Sequence, residues 1–318
     1  MPPSEAAISV AGLRKAFGSK VVLDGIDLHV PAGSIFSLLG SNGAGKTTTV
    51  QILSTLVPFD GGTLTIAGHD VARQPNAVRA TIGVTGQFSA VDNMLTGEEN
   101  LRLMGDLCHL SRRQGKQRAR ELLEQFDLVE AAGKLPAFYS GGMRRRLDLA
   151  MGLVGRPRIL FLDEPTTGLD PRSRRTMWET IQRLVSEEGV TLFLTTQYLE
   201  EADELADRIA VLDQGKLVAE GTADELKRLV AGGHIRLQFA DRYWLDQAYA
   251  ALGQGVRDDE ALALKVPTDG SVRALKSVLD DLEVRSVEVA AVTVHTPDLD
   301  DVFLTLTSRP APQKETVR

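Results

Sequence analysis

Gly40, Ser41, Asn42, Gly43, Ala44, Gly45, Lys46 and Thr47 fit the spacing GxxxxGK(S/T). In that pattern glycines let successive backbone N–H groups turn toward an anion, the lysine meets the outer phosphates, and the threonine hydroxyl can coordinate Mg²⁺. The pattern requires a strand before it and a helix after it. Residues 34–39 are almost continuously apolar, and a helix-like run follows the lysine. The segment therefore reads as a phosphate-binding loop; the plainer alternative is a Gly-rich strand-to-helix turn. Asp163 and Glu164 close a second apolar run, 158–162. There Asp163 can bind Mg²⁺ or its water shell, and Glu164 can face the terminal phosphate as a general base. Two solvated strand-end acids would mean little alone, but strand ends of open α/β sheets are where ligands bind.

Tyr139, Ser140, Gly141, Gly142, Met143 and Arg144 resemble the LSGGQ signature of ATP-binding-cassette (ABC) proteins. The resemblance implies that Ser140 to Met143, at a helix N-terminus, grip the γ-phosphate held by the phosphate loop of a second cassette. It implies further roles in the family's order: Phe17 stacking on adenine, Thr48 joining the ATP-binding loop, and Gln87 touching Mg²⁺ or water while linking the core to a helical insertion. Thr167, Gly168, Leu169 and Asp170 match the loop that communicates across a cassette dimer; without the family they read as a helix N-cap before Pro171. Gln197 occupies the position where most cassettes carry histidine. A glutamine amide can donate to a phosphate oxygen but cannot carry the charge of an imidazolium, so catalysis is expected to be slower or to lean more on Glu164.

The match narrows further. Residues 84–87, 139–148 and 194–203 together resemble the ATPase subunits of daunorubicin/doxorubicin-resistance exporters, in which glutamine at the histidine position is usual. Residues 296–304 are similar to the C-terminal accessory domain of those subunits. The resemblance implies an α/β P-loop NTPase fold, ATP and Mg²⁺ as ligands, and a head-to-tail homodimer of cassettes. It also implies a membrane-spanning permease on a separate chain, a peripheral place at the cytoplasmic face of the membrane, and efflux of a drug-like or lipid-like hydrophobic substrate. The competing reading is an ABC ATPase of DNA repair or of the ribosome. Repair-type cassettes separate loop and signature by a long coiled coil or zinc modules, and ribosome-acting ones carry two cassettes. Here Lys46 and Ser140 are close in sequence, and one phosphate loop and one cysteine occur.

The elements that must position these residues follow from apolar patterning. From residue 8 to about 229, short apolar runs alternate with amphipathic ones, as expected of strands and helices around a largely parallel sheet. Residues 34–39, 158–162 and 191–195 read as strands buried on both faces. Between about 89 and 154 the pattern turns helical, at 98–110, 112–126 and 142–153, which predicts a helical insertion. The nucleotide-binding domain is expected over 1–230, with Ala231, Gly232 and Gly233 as linker. A small α+β domain is expected over 234–308, with strands near 234–239, 261–266 and 284–294 and helices near 243–252 and 272–282. Residues 309–318 read as a tail.

Composition sets the remaining bounds. The 318 residues are 43% hydrophobic and 25% charged, ordinary for a folded chain. Lys plus Arg number 36 against 43 acids, a net charge of −7, which disfavours nucleic acid as the main partner. Cys108, alone, excludes an internal disulfide and a cysteine-based metal site, and is expected to be a small packed side chain. His29, His69, His109, His234 and His295 read as scattered, with no zinc site. Arg144, Arg145 and Arg146 are expected to point in different directions on a helix, solvated or phosphate-adjacent. No run reaches the ~18 apolar residues of a membrane span, and residues 1–5 lack a basic, then apolar leader pattern.

Overall fold

A computed structural model describes residues 6–87, 89–229, 233–268, 271–295 and 297–307. The chain divides into two compact units, Met1–Ala223 and Asp224–Arg318. The first opens with a hairpin of β1 (Ala6–Phe17) and β2 (Lys20–Pro31), joined by Gly18 and Ser19 with Gly18 at φ +61°. A two-residue connection permits only antiparallel pairing, so the expectation of a largely parallel arrangement from residue 8 onward fails at this end. Next come β3 (Ile35–Leu39), α1 (Lys46–Leu53), β4 (Gly61–Ile66) and β5 (His69–Asp70). Strands β2-β1-β4-β5 form a four-stranded antiparallel sheet.

β3 instead lies in a second sheet. After α2 (Pro75–Arg79) that sheet gains β6 (Ile82–Thr85), and the chain then leaves it for α3 (Gly97–Leu107), α4 (Arg112–Gln125) and α5 (Gly141–Gly152). All three helices lie between β6 and the next strand of the sheet. Capping boxes start two of them, Thr96 with Glu99 and Ser111 with Gln114, while Ser140 caps the third. β7 (Ile159–Asp163), α6 (Pro171–Glu188), β8 (Thr191–Thr196), α7 (Leu199–Leu205), β9 (Arg208–Asp213) and β10 (Lys216–Gly221) complete the unit. The six-stranded order is β10-β9-β3-β8-β7-β6, parallel except for the β9–β10 hairpin.

The continuous apolar runs have a simple cause: alternate residues enter two different cores. Phe36, Phe161 and Phe193 face the antiparallel sheet and α1, with Phe36 stacked on Phe193 at 5.6 Å between ring centroids. Leu160, Leu162, Leu192 and Leu194 face the other way, against Leu122, Phe126, Leu147 and Ile181 of the helices. At about 1.5–3 kcal/mol for each fully buried large apolar side chain, these strands are held from both faces. They form a rigid floor for whatever stands at their ends.

α8 (Ala223–Arg228) straddles the division between the units. The second unit contains β11 (His234–Gln238), α9 (Arg242–Leu252), β12 (Val256–Asp258), β13 (Ala263–Pro267), α10 (Val272–Val284), β14 (Ala291–His295) and α11 (Leu299–Thr307). Its antiparallel sheet runs β12-β13-β11-β14 around a core of Ile235, Leu237, Leu245, Leu264 and Leu282. The strand expected over 284–294 is shortened to β14. α10 runs on to Val284, Ser286 takes φ +54° and turns the chain, and Val287 packs into the core from that turn. Of the expected linker, Ala231 and Gly232 lie outside the described residues, as do residues 309–318, the expected tail.

Two expectations about single side chains are corrected. Cys108 is exposed at the C-cap of α3, where the helix ends before a core forms around it. His234 and His295 are cross-strand neighbours whose rings lie 4.8 Å apart, and Asp301 is 3.2 Å from His295 Nε2. Among the described residues no group of three or more His, Cys, Asp or Glu is arranged to hold a metal ion, and no helix is long and apolar enough to cross a membrane.

Candidate active site at the strand ends

In the parallel sheet Leu39 lies beside Thr196, and Asp163 beside Thr195, so the carboxyl ends of β3, β7 and β8 share one edge. The Gly40 N–H donates to the Thr196 carbonyl at 3.2 Å, tying the glycine loop to β8 as it leaves β3. A Cβ at Gly40 would stand 2.4 Å from the Leu212 carbonyl oxygen, so no other residue fits there. Gly45 adopts φ +114°, and its Cβ would stand 2.6 Å from Leu23 Cδ2. Between them Ser41, Asn42 and Gly43 are exposed, Ala44 is buried, and Thr47 and Thr48 are half-buried in the first turn of α1.

Lys46 opens that helix and is only 4% exposed. Its Nζ donates to the carbonyls of Gly40 at 2.8 Å and Ser41 at 3.1 Å, and lies 3.4 Å from Glu164 Oε1. Glu164 is 7% exposed and has φ +51°, a left-handed conformation that costs a non-glycine residue about 1–3 kcal/mol and persists only when its surroundings enforce it. Its N–H donates to the Thr195 carbonyl at 3.1 Å and to Thr195 Oγ1 at 3.2 Å. Thr195 Oγ1 in turn donates to Asp163 Oδ1 at 2.5 Å. Thr167 Oγ1 donates to Glu164 Oε2 at 3.3 Å. A buried lysine and two buried acids thus stand at one edge, Lys46 held by the loop after β3 and both acids anchored by Thr195 of β8.

Gln197, half-buried, follows directly on β8. Behind it Glu201 is fully buried, accepting from Thr166 Oγ1 at 2.7 Å and Trp178 Nε1 at 3.2 Å, and burial pushes its carboxyl above the ordinary glutamate range. The Arg174 guanidinium lies over the Tyr198 ring at 4.9 Å. The loop after β7 and the segment after β8 are therefore tied to each other as well as to the sheet.

The other expected site residues stand apart from this cluster. Phe17, 51% exposed, ends β1 with Lys15 Nζ 5.0 Å over its ring. Gln87 is exposed just beyond β6. Ser140 and Gly141 are exposed, Gly142 and Met143 half-buried, and Ser140 Oγ accepts the Met143 N–H of its own turn at 3.2 Å. Asp170 caps α6, and its hydrogen bonds from the Ser173 hydroxyl and N–H hold its carboxyl below the usual aspartate range. Sequence reasoning missed Thr195, Glu201, Asp148 and above all Arg145. The three arginines do diverge, and each is partly buried and bonded within the chain instead of being fully solvated. Arg144 binds Asn93, Arg146 binds the Phe126 carbonyl, and Arg145 reaches the ends of β6 and β7. The one available signal was Asp148, three residues on from Arg145, an i,i+3 ion-pair spacing on a helix.

Known proteins resemble this chain in sequence and fold. Residues 23–167 match the ABC transporter family. The daunorubicin resistance ATP-binding protein DrrA2 of Streptomyces coeruleorubidus is 51% identical over 306 residues, 95% of either chain. The daunorubicin/doxorubicin resistance ATP-binding protein DrrA of Streptomyces peucetius is 46% identical over 315 residues, covering 98% of this chain and 95% of that one. A solved dimeric ATP-binding cassette in a post-hydrolysis state with ADP and Pi aligns with TM-score 0.61 and 25% identity, over 68% of this chain and 98% of that one. Fold and strand-end site together define an ABC ATPase of the P-loop NTPase fold. The chain belongs to the family of daunorubicin/doxorubicin-resistance ATP-binding subunits of ABC transporters.

Proposed function

We propose that this chain binds ATP and Mg²⁺ at the ends of β3, β7 and β8 and hydrolyses ATP to drive export of a drug-like or lipid-like hydrophobic substrate through a separate membrane-spanning permease. The observation that carries the reading is the buried set Lys46, Asp163 and Glu164 beside a loop that leaves no room for a side chain at Gly40 or Gly45. Backbone N–H groups between Ser41 and Thr48 cradle the phosphates, while the Gly40 N–H stays with the Thr196 carbonyl, and Phe17 supplies an exposed ring for the adenine. Lys46 exchanges its loop carbonyls and Glu164 for phosphate oxygens, which leaves Glu164 to orient and deprotonate the attacking water. Gln197 donates a hydrogen bond to the terminal phosphate.

The donor set of Thr47 hydroxyl, Asp163 carboxylate and Gln87 amide oxygen is all hard oxygen, which suits Mg²⁺. Asp163 fits the part because Thr195 already orients one of its oxygens. When bound, the ion neutralises charge on the transferring phosphoryl group.

Two copies assemble head to tail, with Ser140, Gly141, Gly142 and Met143 of one meeting the γ-phosphate held by the other, and Asp170 near the seam. This is supported by the exposed start of α5 and by the dimeric state of the solved cassette above. The subunit is peripheral, at the cytoplasmic face of the membrane. Co-purification with a membrane protein encoded beside it, followed by an ATPase assay with daunorubicin as probe, tests the proposal. Drug-stimulated phosphate release that disappears in Lys46→Ala supports it; a chain that binds no membrane partner and responds to no drug opposes it.

A further inference from the structure

Arg145 lies in the second turn of α5, within the stretch 139–148, and has no role in the site proposed above. Its side chain is 11% exposed, and the guanidinium spends all five of its N–H donors. Nε donates to the Pro165 carbonyl at 2.8 Å. Nη1 donates to the Gly86 carbonyl at 3.1 Å and to Asp148 Oδ2 at 2.9 Å. Nη2 donates to the carbonyls of Asp163 and Glu164, both at 3.2 Å. Three successive carbonyls can converge on one planar fork because Glu164 turns left-handed between its neighbours. Asp148, 2% exposed, continues the chain of contacts by accepting the Ala90 N–H at 3.0 Å. The Arg145–Asp148 pair on α5 therefore grips the chain on both sides of Gln87, at Gly86 and Ala90, and the turn that carries Glu164.

We propose that Arg145 is a positioning residue for ATP hydrolysis: it enforces the backbone turn that aims Glu164 and makes that turn depend on where α5 and the Gln87 loop stand. The proposal rests on the reading of Glu164 as the base. Movement of the insertion relative to the sheet then reaches the base through one side chain, with no contact between Arg145 and nucleotide. A lysine keeps the charge but offers three donors from a single point and cannot serve carbonyls spread over three residues.

The test uses the full-length purified chain and the variants Arg145→Lys and Arg145→Ala. It reads kcat, KM, ATP affinity by equilibrium titration, and Tm. Expected is a fall in kcat of about 10- to 100-fold in Arg145→Lys, with ATP affinity within about twofold of wild type, as a misplaced catalytic group produces. Arg145→Ala falls further and is partly restored by millimolar guanidinium but not by ammonium. Wild-type kcat in Arg145→Lys overturns the proposal. So does a loss of ATP affinity in step with kcat, or a Tm of Arg145→Lys as low as that of a collapsed Arg145→Ala, because each marks a merely structural role. Glu164→Gln, assayed in parallel, separates the two readings. Wild-type turnover there removes the base assignment and this proposal with it; lost turnover there together with normal Arg145→Lys removes only the proposal.

Discussion

The phosphate loop and the signature segment are both helix N-termini rich in glycine, yet the fold treats them in opposite ways. Lys46, Asp163 and Glu164 are 4%, 3% and 7% exposed and are bonded from β3, β7, β8 and the loop after β7. Ser140 and Gly141 are exposed, and among the described residues the Ser140 hydroxyl is bonded only within its own turn. In the proposed reading the first region is a half-site whose buried groups all come from one chain. The second is a row of backbone donors at the positive end of a 12-residue helix, open to an anion delivered from outside. One region should therefore govern nucleotide affinity and the chemical step, and the other turnover alone.

Substitutions can break that contrast. The largest effect is expected from Glu164→Gln, which keeps size and polarity but removes the base; phosphate release should fall by about 10²–10⁴-fold while ATP affinity is retained. Next comes Lys46→Ala. Loss of charge-assisted hydrogen bonds worth about 1.5–3 kcal/mol each should weaken ATP binding by about 100-fold in an equilibrium titration, and unchanged affinity would remove the phosphate-loop reading. Gly141→Asp is the sharper probe of the second region. Its Cβ would meet nothing nearer than Leu169 Cδ2 at 3.9 Å, and an acid in the first turn favours the helix. Tm and ATP affinity should hold while turnover drops about tenfold, since the new carboxylate repels the incoming phosphate; a fall in affinity would show that both regions act on one copy's nucleotide.

The smallest effect concerns Glu201. A carboxyl raised by burial contributes most to stability when protonated, and that contribution is lost as pH climbs from the ordinary glutamate range through the raised value, because the unfolded chain gives up its proton first. Glu201→Gln cannot titrate. Its Tm relative to wild type should rise by a few degrees between about pH 4 and about pH 7, and a pH-independent difference would contradict the assignment.

How legible each part was depended on whether its cause is local. The strand-to-helix setting of the glycine loop and the strand that ends at Asp163 could be read directly, because loop chemistry and two-sided burial leave marks on adjacent residues. The antiparallel sheet was not foreseen, though Gly18 and Ser19 carried a two-residue turn signal. Arg145 was hidden for a different reason. Its partners Gly86 and Asp163 to Pro165 come together only when α5 packs over the ends of β6 and β7, and apart from Asp148 three residues on, nothing in a run of three arginines says which one faces inward. Cys108 and the chain after Val284 were misjudged where an element ends, since apolar or small residues near a terminus do not reveal how far the core extends.

The central claim, that an affinity half-site in one copy is completed by the exposed signature of another, is most directly tested by sedimentation of the Glu164→Gln chain with and without ATP. The account predicts a shift from monomer to dimer on adding ATP, with one nucleotide retained per chain, and no shift when Gly141→Asp is added although ATP still binds. A Glu164→Gln chain that stays monomeric while saturated with ATP, or a dimer indifferent to Gly141→Asp, would contradict it.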